Sequence, residues 1–161
     1  MQIYLVQHRP SKNETQDPLR NLTDEGRRVV ERMAEYLAGT GISIDHIEHS
    51  EKLRARQTAE ILASKLTPRD GTVQAPGLAP NDDVTPMRIR LQTVEKTVML
   101  VGHLPYLSRL LSGLLLVDQD RPLVEFRMGG VVCLERVENR AWRLLWAFTP
   151  DLLKTPTLVQ L

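Results

Sequence analysis

Cysteine is nearly absent. Cys133 is the only one in 161 residues, which rules out an internal disulfide and any cysteine-rich metal site. Aromatic residues make up only 4 % of the chain, and neither sign of charge dominates: 21 Lys and Arg stand against 20 Asp and Glu, a formal net charge of +1. No global field draws such a protein to nucleic acid or to a membrane surface, so any anion recognition must come from arginines placed locally. Apolar runs are short. Leu114 to Val117, for instance, falls far below the length that spans a bilayer. With no basic leader ahead of the first strand, a small cytoplasmic protein is expected.

What remains is an ordinary globular composition, 42 % hydrophobic and 25 % charged. A chain of this length buries roughly two-thirds of its unfolded surface in one core, so a single domain over 1–161 is expected. Residues 2–6, Gln-Ile-Tyr-Leu-Val, read as a buried strand stopped by Pro10. After a polar loop, Thr23 is placed to cap a helix with Asp24 and Glu25 in its first turn. Val29, Val30, Met33 and Leu37 recur at helical spacing, and Gly39 and Gly41 close it. A short strand over 42–50, a helix over 51–66 and a loop over 69–86 follow. Next come a helix near 87–95, a strand ending on His103 and an amphipathic helix just after it. Two β-rich runs joined by Val137-Glu138-Asn139-Arg140 close the chain as a hairpin. Strands alternating with helices predict a three-layer α/β/α domain, with a mostly parallel central sheet and a C-terminal β-hairpin.

In a parallel sheet the carboxyl ends of the strands share one edge, where ligands bind. Two predicted strands end on a histidine, His8 and His103, and a third leads into a helix whose first turn carries Arg54. Singly, each has an ordinary reading: a structural or solvated histidine, a surface arginine. Together they suit phosphoryl transfer. A neutral imidazole attacks phosphorus, while a guanidinium holds the phosphate oxygens and stabilises charge in the transition state.

The segments Leu5–Gly26 (LVQHRPSKNETQDPLRNLTDEG), His49–Ala63 (HSEKLRARQTAEILA) and Leu100–Leu114 (LVGHLPYLSRLLSGL) resemble the histidine phosphatase superfamily over essentially the whole chain. Its members carry a strand ending Arg-His-Gly, a Leu-Thr-x-x-Gly helix start, a Ser-Pro-x-x-Arg-Ala-x-Gln-Thr-Ala helix and a Gly-His-x-Pro turn. The short chain and the terminal hairpin are most similar to the SixA-type phosphohistidine phosphatases. The resemblance implies a phosphoglycerate mutase-like fold and a hydrolase of phosphoric esters or phosphoramidates in signal transduction, needing neither cofactor nor metal. The substrate it implies is a phosphorylated protein histidine, with a small phosphorylated molecule as the alternative, and the protein a monomer. By the same resemblance His8 is the phosphorylated nucleophile, Arg54 a phosphate-clamping arginine and His103 the second histidine on the phosphoryl group. Arg20 falls where an arginine precedes Leu-Thr, at the pocket mouth or simply on the surface.

Three positions depart from the family pattern: Gln7 for its first arginine, Arg9 for glycine and Glu51 for proline. Losing a guanidinium removes a charge-assisted contact of about 1.5–3 kcal/mol, although Gln7 still offers an amide donor. A weakened catalyst or an inactive phosphate-binding protein both follow from that loss. Arg9 is near enough to reach the same phosphate, but alternation at a strand end leaves it two directions, toward the site or away. Asp82 and Asp83 are candidates for a general acid, with loop capping the commoner use of Asn-Asp-Asp. His46 and His49, three apart on a strand, fall on opposite faces and do not make a metal pair. Trp142, Trp146 and Phe148 read as packing residues.

Overall fold

The computed structural model describes residues 1–116 and 118–153; Val117 and the last eight positions of the expected domain lie outside the described residues. Six strands form one sheet in the order β3-β2-β4-β1-β5-β6. They are β1 (Gln2–Gln7), β2 (His46–His49), β3 (Thr72–Gln74), β4 (Val98–Gly102), β5 (Val131–Arg136) and β6 (Trp142–Phe148). The β3-β2-β4-β1 half is parallel, whereas β5 runs antiparallel to β1 and to β6. The expected architecture is therefore present, with the hairpin accounting for the antiparallel part.

Four helices cover the sheet: α1 (Asp24–Gly39), α2 (Leu53–Leu66), α3 (Thr85–Leu91) and α4 (Tyr106–Leu115). Side chains alternate across the strands and divide the core in two. Tyr4, Val6, Met99, Val101 and Cys133 pack on the face covered by α1 and α2, with Val30, Met33, Leu37, Ala55, Ala59 and Leu62 opposite them. Ile3, Leu5, Val98, Leu100 and Leu134 pack with Met87, Leu91, Leu107, Leu110 and Leu111 of α3 and α4. Burial on both faces explains why β1 and β4 read as unbroken apolar runs.

The Thr23 side chain accepts a hydrogen bond from Gly26 N at 2.9 Å, capping α1 as its sequence position suggests. Gly26 also lets the loop after β1 cross the helix, because a Cβ there would lie 2.8 Å from Pro10 O. Two expectations shift. The strand expected over 42–50 is confined to four residues, and the 69–86 loop contains β3, a three-residue edge strand with every residue exposed. Trp142 is buried. Trp146 packs on Tyr4 with ring centres 5.9 Å apart, and Phe148 stacks on Tyr36 at 4.6 Å. Among the described residues no helix is long and apolar enough to cross a membrane.

Candidate active site

The parallel half of the sheet brings the carboxyl ends of β1, β2 and β4 to one edge. His8 follows β1 directly, and its backbone N–H donates to Gly102 O, the last residue of β4, at 3.1 Å. His103 follows that same Gly102, so the two imidazoles become neighbours with ring centres 4.8 Å apart. Arg54 reaches them from the first turn of α2, and its Nε donates to His8 Nε2 at 3.3 Å. Three residues 95 positions apart at the extremes thus form one cluster, with His8 and His103 only 9 % and 2 % exposed.

The hydrogen bonds set the chemistry of His8. Its Nδ1 lies 2.7 Å from the carbonyl oxygen of Arg9, a group that can only accept, so Nδ1 carries the proton and donates. Nε2 then bears the ring's lone pair, which accepts from Arg54 Nε in this structure and is the atom that would meet an electrophile once Arg54 turns aside. Burial pushes the His8 pKa down to about 4; the bond to Arg9 opposes this, and the positive charges of Arg54 and Arg20 reinforce it. Burial, followed by His8, Arg54, Lys52 and Arg20, takes His103 down to about 3. Both rings are neutral at pH 7. His103 Nε2 meets Ser50 Oγ at 2.5 Å, and its Nδ1 is buried with no partner among the described residues.

Arg20 belongs to the neighbourhood: its charge acts on both histidines, and it carries a long 3.8 Å ion pair to exposed Glu14. Its backbone is left-handed, φ 53°. The adjoining loop is braced by Gln57, which accepts from Leu22 N at 2.9 Å and donates to Asn21 Oδ1 at 2.6 Å. That explains a polar residue at a helix position facing the loop.

Gln7 is 7 % exposed, follows the alternation of Ile3 and Leu5, and has its Oε1 buried without a partner among the described residues. Arg9 is not brought into the cluster. Its Nη1 donates to Met128 O at 2.8 Å, and its stem lies over Gly129, where a Cβ would stand 2.4 Å from Arg9 Cδ. Gly129 has φ +76° and thus offers both the space and the backbone that seat this side chain. Arg9 therefore takes the outward of its two directions and cannot serve as a phosphate ligand from there. Among the described residues neither aspartate is hydrogen-bonded to a histidine. Asp82 accepts from Ala79 N at 2.8 Å and Asp83 from Thr85 N at 2.9 Å, both as loop caps. His46 binds Glu48 at 2.8 Å, while His49 Nδ1 meets Ser50 O at 2.9 Å on the other face of β2, so they are not co-ligands.

Residues 7–78 match the profile of the histidine phosphatase superfamily, branch 1. An uncharacterised protein of Picosynechococcus sp. is 34 % identical over 116 residues, 67 % of this chain and 69 % of its own length. The phosphohistidine phosphatase SixA of Escherichia coli is 29 % identical over 119 residues, 71 % of this chain and 74 % of that protein. The structure of the protein histidine phosphatase SixA complexed with tungstate superposes with a TM-score of 0.85 at 25 % identity, covering 96 % of this chain and 100 % of the other. The chain belongs to the histidine phosphatase superfamily. Membership marks it as a phosphatase. At the level of fold alone, a phosphoglycerate mutase of Plasmodium falciparum also superposes, with a TM-score of 0.68 at 16 % identity over 90 % of this chain and 88 % of the other.

Histidine phosphatase membership also exposes two residues to which sequence reasoning gave no role. Ser50 and Gln57 were visible as motif positions, but their partners, His103 and the 21–22 loop, lie 53 and about 36 residues away in sequence. Spacing carries no signal for such pairings.

Proposed function

We propose that this chain hydrolyses phosphohistidine on a protein, through a covalent phosphoryl intermediate on His8. The observation that carries the reading is the His8 ring itself. It is neutral, pinned through Nδ1–H to a backbone carbonyl, and turns its Nε2 lone pair toward the Arg54 guanidinium. In the first step Nε2 attacks phosphorus, a P–Nε2 bond forms and the substrate P–N bond breaks, with the leaving imidazole taking its proton from water. In the second step water attacks the phosphorus, the P–Nε2 bond breaks, and orthophosphate is released. Arg54 lies where it can turn from Nε2 to the phosphoryl oxygens and stabilise their charge in both transition states, and His103 adds a second polar contact.

The choice of substrate follows from the leaving group. Asp82 and Asp83 each accept a backbone N–H of their own loop, and among the described residues neither bonds to His8 or His103, so no acid is paired with the histidines. An alkoxide needs that proton, whereas an imidazole departs readily without one. A phosphoramidate thus suits the site better than an alkyl phosphate, and the reading goes with a monomeric cytoplasmic protein that acts on a phosphorylated signalling partner. Buried Gln7 in place of a family arginine favours one other reading, a module that binds phosphate without turning it over.

Purified protein is to be incubated with a phosphohistidine-carrying protein and, separately, with alkyl and aryl phosphates. Orthophosphate release from the phosphohistidine protein, abolished in His8→Ala, is expected. Turnover that survives His8→Ala would remove the nucleophile, and activity that appears only in Gln7→Arg would establish the binding module. Faster turnover of the alkyl phosphate would make the protein a small-molecule phosphomonoesterase.

A further inference from the structure

We propose that Ser50 is a positioning residue: it fixes His103 as the Nδ1–H tautomer, so that a nitrogen–hydrogen donor, and not a lone pair, meets the phosphoryl group on His8. The inference rests on the phosphoryl-transfer reading above and specifies an atom-level arrangement for it.

Ser50 is 1 % exposed, so its hydroxyl must find its partners within the protein. Its Oγ has two contacts among the described residues. Lys52 N donates to it at 3.3 Å, and His103 Nε2 lies 2.5 Å away. The first makes Oγ an acceptor, and the hydroxyl hydrogen then has a single acceptor within reach, His103 Nε2. If Ser50 donates there, Nε2 holds a lone pair and the proton of the neutral ring sits on Nδ1. The reverse tautomer would leave the hydroxyl hydrogen of Ser50 without an acceptor and a bare lone pair on buried Nδ1. That would be two unsatisfied groups in one enclosed place. The observed orphan therefore has a definite character. His103 Nδ1 is buried, has no partner among the described residues and carries a hydrogen, in a ring whose centre is 4.8 Å from that of His8. A phosphoryl oxygen accepts from such a donor but repels a lone pair, so the tautomer decides whether His103 assists transfer or opposes it.

Ser50 is well placed for this task because its own backbone is held. Its N–H donates to Val101 O at 3.2 Å, two residues before His103, and its Oγ receives the N–H at the start of α2, the helix carrying Arg54. One hydroxyl thereby ties the second histidine to the element that supplies the clamping arginine. Removing a residue that orients a metal-ligating histidine typically costs on the order of 10- to 100-fold, and a loss of that order is expected for His103.

The test labels the protein with nitrogen-15 histidine and reads the tautomer of His103 from long-range proton–nitrogen correlations. Wild type and Ser50→Thr are expected to show a protonated Nδ1, and Ser50→Ala a mixture or the Nε2–H form. In phosphohistidine turnover, Ser50→Ala should lose about 10- to 100-fold in kcat with KM little changed, and Ser50→Thr should recover most of it. A wild-type His103 protonated on Nε2 would overturn the proposal, as would a Ser50→Ala protein with unaltered tautomer and kcat. If Ser50→Ala does not fold, the wild-type spectrum alone decides. A wild type without any turnover would count against the phosphatase reading only. In that event titration with orthophosphate, which should shift the His103 Nδ1 resonance in wild type and Ser50→Thr, still tests Ser50, and an unmoved resonance would refute it.

Discussion

Gln7 and Arg9 flank His8, the proposed nucleophile, and together hold one guanidinium, the number expected of an Arg-His-Gly sequence, but it lies on the wrong side of the strand end. The Arg9 side chain belongs to the loop at Met128 and Gly129, and only its backbone carbonyl serves the site, by holding His8 Nδ1. Gln7 can offer a neutral donor at most. Gln7→Arg should therefore restore a charge-assisted contact and tighten orthophosphate binding by roughly ten- to a hundred-fold, about 1.5–3 kcal/mol, in calorimetric titration. An unchanged affinity would mean that position 7 does not face the anion. Arg9→Ala separates the two roles from the other direction. The carbonyl stays, so phosphate affinity and kcat should be retained, while loss of the Met128 bond and the packing over Gly129 should lower stability by about 1 kcal/mol in a denaturant titration. A fall in kcat instead would return Arg9 to the site.

Glu48 of β2 shows how an element is fixed from across the sheet. It is 3 % exposed and takes both Arg90 Nη atoms, at 2.8 and 2.6 Å, together with His46 Nε2. Burial pushes this carboxyl pKa up, but the Arg90 and His46 hydrogen bonds outweigh it and hold the pKa below the usual range. Arg90→Met removes the main partner and strands a buried charge, so stability should fall by roughly 1–3 kcal/mol, less than for a fully enclosed pair because Arg90 is 43 % exposed. Adding Glu48→Met should recover much of the loss, read from urea midpoints; a double variant no better than the single would show that the charge was not the cause. Such a link is invisible in sequence, where Glu48 sits between two histidines and resembles a surface residue of an alternating strand. By contrast β1, α1, β4 and the hairpin were readable, because both faces of the strands are apolar and α1 has a cap, a periodicity and a stop. β3 was not: Thr72, Val73 and Gln74 are all exposed and pair with β2 only through the backbone. The convergence of His8, Arg54 and His103 was readable from parallel topology, whereas the direction of Arg9 and the capping by Asp82 and Asp83 depend on partners that no periodicity names.

A net charge of +1 hides an uneven distribution. Arg20, Lys52 and Arg54 all act on the buried histidine pair, and no carboxylate is among the groups that shift either ring. Burial, reinforced by this positive field, keeps the two imidazoles neutral, an arrangement that suits the proposed anion site at a cost that grows in acid. In the unfolded chain each ring takes up its proton near pH 6.5; in the folded chain His8 waits until about 4 and His103 until about 3. Between those values the unfolded state binds more protons, so acid favours unfolding. The contribution of the pair to stability is complete above about pH 6.5. It is lost progressively as pH falls, levelling off below the folded values, with each pKa unit of separation worth about 1.4 kcal/mol. Urea midpoints measured from pH 7.5 down to 4.5 should decline in wild type. In His8→Asn, which removes one titrating ring, they should decline with a shallower slope. Turnover should hold level well below pH 6 and fail only as His8 begins to protonate or the protein unfolds. A kcat/KM limb centred near 6.5 would mean that His8 is solvated and ordinary, and an identical acid slope in His8→Asn would place the acid sensitivity of the fold elsewhere.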